Sequence, residues 1–239
     1  MPLPKPWPIS VEKYHAMIQA EILGPDDQLE LLEGLLVKKH CDTFDIIHGY
    51  APLPIYRLSV EQYHEMINAD ILGTEDRLEL LDGVLVEKMT KSPRHSAATY
   101  LLAERLRKAV PPGWYVDSQD AIVLSSSEPE PGAAIIRGNR RDYMEHHPGP
   151  SDVALVVEVS ESSLQSDRTH KKILYAAAGI PVYWIVNLVD RRADVYTGYT
   201  TSVSGSEYAR MEFFGPADNI PLIIENQKFA DIAVSDLLP

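Results

Sequence analysis

One stretch, residues 151–187, SDVALVVEVSESSLQSDRTHKKILYAAAGIPVYWIVN, constrains the fold of this chain more than any other. It opens on an apolar run from Val153 to Val157, rich in β-branched residues, with Glu158 at its end. Such a run reads as a buried strand. Ser160, Ser162 and Ser163 supply turn and cap chemistry. From Asp167 the spacing predicts a helix, with Ile173, Leu174, Ala177 and Ala178 as one apolar stripe. Asp167 and Lys171 share another face at i, i+4. Gly179, Ile180 and Pro181 stop the helix, and residues 182–186 form a second buried strand. Strand, helix, strand in about 35 residues is a βαβ-sized unit with parallel strands. A lone acid at a strand end, with a lysine on the next helix, is a candidate site.

The 239 residues, 45% of them hydrophobic, suffice for an ordinary domain plus additions. The formal net charge of −13 argues against a broad nucleic-acid surface and leaves room only for a local groove. One cysteine, Cys41, excludes an intramolecular disulfide, so the expectation is a cytoplasmic protein. The proline-rich start, MPLPKPWPIS, has no apolar core of a signal peptide, and no apolar run approaches membrane-spanning length.

The amino-terminal third contains a repeat. Residues 10–39 recur as residues 59–88, with 20 identities in 30 positions at an offset of 49. Two copies are too few for a solenoid, so duplication of one supersecondary unit is the expectation. In the second copy Ser59 is an N-cap with Gln62 as its capping-box partner. Tyr63, Met66 and Ile67 follow at helical spacing. Residues 73–76 form a turn, and residues 78–86 form a hairpin bending at Asp82-Gly83. Residues 41–56 link the copies. The expected division is 1–57, the extra helix–hairpin copy plus linker, and 58–239, the main domain, with its core at about 95–200.

Residues 95–110 read as a helix with Leu101, Leu102, Leu106 and Ala109 on its apolar side. Residues 114–124 read as a strand with a wet interruption at 117–120, and residues 125–131 as a polar loop. Residues 133–136 are a short strand, and residues 137–150 a charged loop. Residues 192–199 are another strand, residues 210–214 a hairpin arm, and DIAVSDLL a weak amphipathic helical turn. The fold class is α/β with a mixed sheet flanked by helices.

LELLDG (78–83), His95, PEPG (129–132), LVVEVS (155–160), SDRTHKKILYAAAGIP (166–181) and YWIVN (183–187) together resemble the Uma-two family of restriction-endonuclease-like proteins, within the PD-(D/E)xK nuclease superfamily. The resemblance covers about residues 58–200. It implies a restriction-endonuclease-like core and a metal-dependent endonuclease acting on DNA, with Mg²⁺ or Mn²⁺ as cofactor. Carried across position by position, Glu158 matches the family's metal-binding and catalytic glutamate. Ser160 stands where the strand lysine would be, and Lys171 matches the lysine relocated to the helix. The metal-binding aspartate falls on Gly132, a departure: the chain reads Glu130-Pro131-Gly132. Glu130, two residues earlier, is the nearest substitute ligand. Asp117, Asp120 and Glu79 are further acids within reach of such a site, and His95 is either a helix-end residue or a further member. Asp152 lies six residues before Glu158 on one strand, roughly 20 Å away, too far to share a metal.

Each residue also has a plainer reading. Glu158 could cap or pair with Lys171 or Arg168. Tyr175, Tyr183 and Trp184 read as core aromatics, and Arg137, Arg140 and Arg141 as a solvated loop or a phosphate-facing rim. His146-His147 lacks zinc spacing. The alternative to an endonuclease is a non-catalytic nuclease-fold module for binding or assembly, a homodimer or higher homo-oligomer, motivated by the extra amino-terminal copy. No G-x-S-x-G elbow, G-x-G-x-x-G loop or Walker loop is present.

Overall fold

A computed structural model describes residues 5–41, 43–45, 52–202 and 205–239. The linker expected at 41–56 falls partly outside the described residues. The chain divides into two compact units, residues 1–88 with 125–129, and residues 89–124 with 130–239.

The first unit holds two helix–hairpins. Helix α1 (Val11–Gln19) precedes strands β1 (Leu29–Leu32) and β2 (Leu35–Lys38). Helix α2 (Val60–Asn68) precedes β3 (Leu78–Leu81) and β4 (Val84–Glu87). Ser59 and Gln62 form the reciprocal capping box at the start of α2. Tyr63 and Met66 are buried, and Ile67 is exposed. The β3–β4 turn places Asp82 at φ 50° and Gly83 at φ 73°, the left-handed pair that a two-residue hairpin needs. A Cβ on Gly83 would also lie 2.5 Å from the Arg57 Cβ.

The second unit is built on one six-stranded sheet. Its strands are β5 (Trp114–Asp117), β6 (Ala133–Arg137), β7 (Val153–Ser160), β8 (Val182–Asn187), β9 (Arg192–Ser202) and β10 (Gly205–Phe214). Their order is β10-β9-β8-β7-β6-β5, and β7–β8 is the parallel pair within it. Helix α3 (Pro93–Ala109) and a separate hairpin, β11 (Asn219–Ile224) with β12 (Gln227–Ala233), cover one face. Leu102, Leu106, Val157, Trp184, Val195, Ile220 and Ile232 meet there. The other face packs Val156, Tyr183, Ile185 and Tyr196 against Tyr175 and Ile180 of the β7–β8 crossover. Strands β7 and β8 are covered on both sides, which is why their sequences are continuously apolar rather than alternating.

The structure departs from the sequence reading at several places. Helix α3 begins at Pro93, capped by the Ser92 side chain, because proline suits the first helical turn. Ladder pairing of β5 stops at Asp117, although Ile122 and Leu124 remain buried. The β9–β10 hairpin is much longer than residues 192–199 and 210–214. The tail DIAVSDLL completes β12 before a single 3₁₀ turn, Val234–Asp236. Strands β11 and β12 escaped the sequence reading because their turn, Glu225-Asn226 at φ 49° and 65°, lacks glycine. Among the described residues no helix is long and apolar enough to cross a membrane.

Candidate functional site

Strand β7 is buried along its whole length and ends in two polar residues on one face, Glu158 and Ser160. The crossover that follows is a composite helix. A short α turn, α4 (Leu164–Ser166), leads into a π-helical turn (Asp167–Lys171) and then into α5 (Lys172–Ala177). It therefore starts earlier than Asp167. The inserted turn shifts the phase of the buried face. Asp167, Lys171, Tyr175 and Ala176 face inward, whereas Ile173 of the expected stripe is exposed. Gly179 ends the helix at φ 78°, with the Ile180 N–H donating to Tyr175 O at 3.0 Å.

The two polar residues of β7 meet this helix in two rungs. The Lys171 Nζ donates to Glu158 Oε1 at 3.0 Å, and the Tyr175 hydroxyl donates to the same oxygen at 2.8 Å. Ser160 Oγ and Ser163 Oγ each donate to Asp167 Oδ2 at 2.6 Å. The Tyr183 hydroxyl donates to the Asp167 backbone oxygen at 3.1 Å. Burial, together with the charges of Asp167 and Glu158, pushes the Tyr183 hydroxyl well above the usual phenol range, so it remains a donor. Tyr175, read from sequence as a core aromatic, is both a core residue and a ligand of Glu158. Ser160 anchors Asp167 at the carboxyl end of β7.

His95 lies in the first turn of α3, and its backbone N–H donates to Ser92 Oγ at 3.0 Å. Burial, and to a lesser degree the charge of Lys91, lowers its ring below the usual imidazole range. A hydrogen bond to the Val159 backbone and the charges of Glu161 and Asp167 act the other way. The structure thus brings His95 to the Val159 backbone, one residue beyond Glu158.

The other sequence candidates are placed differently. Gly132 is buried just before β6. Continuing the β6–β7 register, which pairs Ala133 with Val157, sets Gly132 opposite Glu158. A Cβ there would lie 3.1 Å from Val157 O and 3.3 Å from Val159 N. Glu130 is half-buried in the segment entering β6. Glu79 is a buried residue of β3 in the first unit, paired with Val86. Asp117 and Asp120 both bind the Arg140 guanidinium, at 2.6 Å for Asp120. Burial and then the neighbouring Asp120 push the Asp117 carboxyl up to about 6. Arg137 pairs with Glu225 at 2.5 Å, so neither Arg137 nor Arg140 is an unpaired rim residue.

A further buried acid was missed. Asp194 on β9 is fully buried, and Ile185 lies between it and Glu158 in the strand register. Arg168 Nε and Nη2 reach its Oδ2 at 2.9 and 2.6 Å, and Arg192 Nε reaches its Oδ1 at 2.8 Å. The signal was one aspartate inside the apolar strand ADVY, two residues after a conspicuous Arg191-Arg192 pair.

A family model, Uma2, described as "Putative restriction endonuclease", matches residues 60–232, well over half the chain. The chain belongs to the Uma2 family. The first helix–hairpin copy lies before the matched region. Among solved structures, the chain is similar to a "putative nuclease belonging to DUF820" from Anabaena variabilis ATCC 29413. The TM-score is 0.56 at 14% identity, covering 75% of this chain and 96% of that one, and the likeness is one of fold. No curated protein matches. The mixed sheet with flanking helices is therefore a nuclease-type fold, and the Uma2 region carries both rungs of the β7–helix ladder.

The residues present do not fit a two-carboxylate Mg²⁺ or Mn²⁺ centre of the kind the Uma2 resemblance implies. Hard divalent ions need several oxygen ligands, with carboxylates converging from separate elements. Among the described residues no three His, Cys, Asp or Glu side chains converge in that way. Opposite Glu158 stands a glycine whose backbone is packed too closely to admit a side chain without adjustment. Glu158 itself already holds an ammonium and a phenol on one oxygen.

Proposed function

We propose that this Uma2 protein is an endonuclease acting on DNA phosphodiesters, with its site at the carboxyl end of β7 and with low turnover. The observation that carries this reading is the pairing of Glu158 with Lys171 at 3.0 Å, strand acid to helix lysine, within the family-matched region. In this reading Glu158 orients the attacking water and takes its proton as the water oxygen bonds to phosphorus and the phosphorus–ester oxygen bond breaks; Lys171 steadies negative charge on the phosphoryl oxygens, and the leaving alkoxide takes a proton from solvent. Tyr175 and the Asp167–Ser160 rung hold those two groups in register. Gly132 accounts for the low turnover. DNA contact is confined to a local groove, in keeping with the net charge of −13.

A second reading, a non-catalytic nuclease-fold binding module, is favoured by Gly132 and by the ion pair that occupies Glu158. Incubating supercoiled plasmid with the protein in Mg²⁺ or Mn²⁺ separates the two. Slow nicking that disappears in Glu158→Gln supports the enzyme. Absence of nicking, or nicking untouched by that substitution, leaves the binding module.

A further inference from the structure

The two helix–hairpins of the first unit touch each other through the same atoms in both directions. The backbone contacts and the helix-to-carbonyl contacts each have a counterpart at an offset of 49 residues with the roles of the copies exchanged. The Trp7 N–H donates to Leu85 O at 2.8 Å, and the Tyr56 N–H donates to Leu36 O at 2.9 Å. Pro6 bridges Val86, and Ile55 bridges Val37. The Lys13 ammonium on α1 donates to Ile71 O, and the Gln62 amide on α2 donates to Ile22 O at 2.9 Å. The equivalent acids Asp76 and Asp27 are both held across the interface but by non-equivalent donors, Asp76 by the Lys13 ammonium at 2.9 Å and Asp27 by the Tyr56 hydroxyl at 3.2 Å. Burial follows the same rule: Met17 and Met66 are both at 0% exposure, and Val37 and Val86 both at 2%.

Reciprocal contacts of this kind define an isologous interface, in which residue i meets j and j meets i. Such interfaces ordinarily join two molecules. We propose that the first helix–hairpin is a built-in partner for the second: the two copies bury one homotypic docking surface around a local pseudo-two-fold axis, so a site made for a second copy of this unit is filled within one chain. The self-association expected from the duplication is met inside the molecule. The tether raises the effective concentration of the internal partner far above that of another chain.

Two full-chain experiments test this. The first exchanges a residue pair across the axis. In Lys13→Gln/Gln62→Lys, the new Gln donates to Ile71 O as Gln62 does to Ile22 O, and the new Lys finds Ile22 O and Asp27. The urea midpoint should stay at the wild-type value, while Lys13→Leu and Gln62→Leu each lower it. An exchange variant that loses as much as the two leucine variants combined overturns the symmetry. The second places Val37→Cys with Ile55→Cys, and separately Pro6→Cys with Val86→Cys, each in a Cys41→Ser background. Bridged residues lie within disulfide range. Both pairs should oxidise to disulfides within one chain, and wild type should sediment at one chain's mass of 26.7 kDa. Disulfide-linked dimers, or wild type sedimenting as a dimer that Gln62→Leu dissociates, overturn the internal pairing.

Discussion

At the scale of single residues, the account turns on Glu158 and its two donors. A buried acid with an ammonium at 3.0 Å and a phenol at 2.8 Å is tolerable only while all three are present. Lys171→Met should cost about 3–5 kcal/mol in urea unfolding, the usual penalty for stranding a buried charge. Adding Glu158→Gln should restore much of that loss, because the orphaned charge goes with it. Two costs that simply add would show that the groups do not interact. A second residue-scale test concerns Asp117, whose carboxyl is pushed up to about 6 by burial and by Asp120. Its pKa is higher in the folded chain than the ordinary value of 3.8, so the folded state holds the proton more tightly. This stabilisation is complete below about pH 4 and is lost as pH rises through about 6. The Asp120 carboxyl, held low by Arg140 and Asp117, contributes in the opposite sense. Melting temperature against pH should therefore carry a falling component between pH 4 and 6 that Asp117→Asn removes; an identical profile in the variant contradicts the assignment.

At the scale of elements, the βαβ crossover was legible because hydrophobic runs and the Gly179 stop act locally. The sequence also pointed to Glu158 and Lys171 on adjoining elements. It could not show the π-helical turn at Asp167–Lys171, since one extra residue per turn leaves no mark on composition. Asp167 and Lys171, its first and last residues, meet Ser160 and Glu158. The Arg168–Asp194 fork was equally hidden, because its partners are 26 residues apart and depend on the β8–β9 register. Gly132 was legible as a departure from the family pattern, and the structure adds its cost. Gly132→Asp places a Cβ 3.1 Å from Val157 O, so β6 and β7 must move apart locally. The variant should unfold at lower urea, by about 1–3 kcal/mol, as overpacked sites do. Unchanged stability would show that β6 yields freely and that an aspartate fits there after all.

At the scale of the whole molecule, family membership and local chemistry pull in different directions. The Uma2 match covers residues 60–232, and within it a strand acid, Glu158, meets a helix lysine, Lys171, at 3.0 Å. Opposite Glu158 stands Gly132 rather than a carboxylate, and Glu158 is closed into an ion pair with Lys171. A net charge of −13 argues against a broad nucleic-acid-binding surface. The most direct test of this account is isothermal titration of the full chain with Mn²⁺, wild type beside Glu158→Gln. No saturable binding below the millimolar range, and no difference between the two proteins, is the expected result. Micromolar binding by wild type that Glu158→Gln abolishes would contradict it, and would mean that another acid completes a metal centre around Glu158.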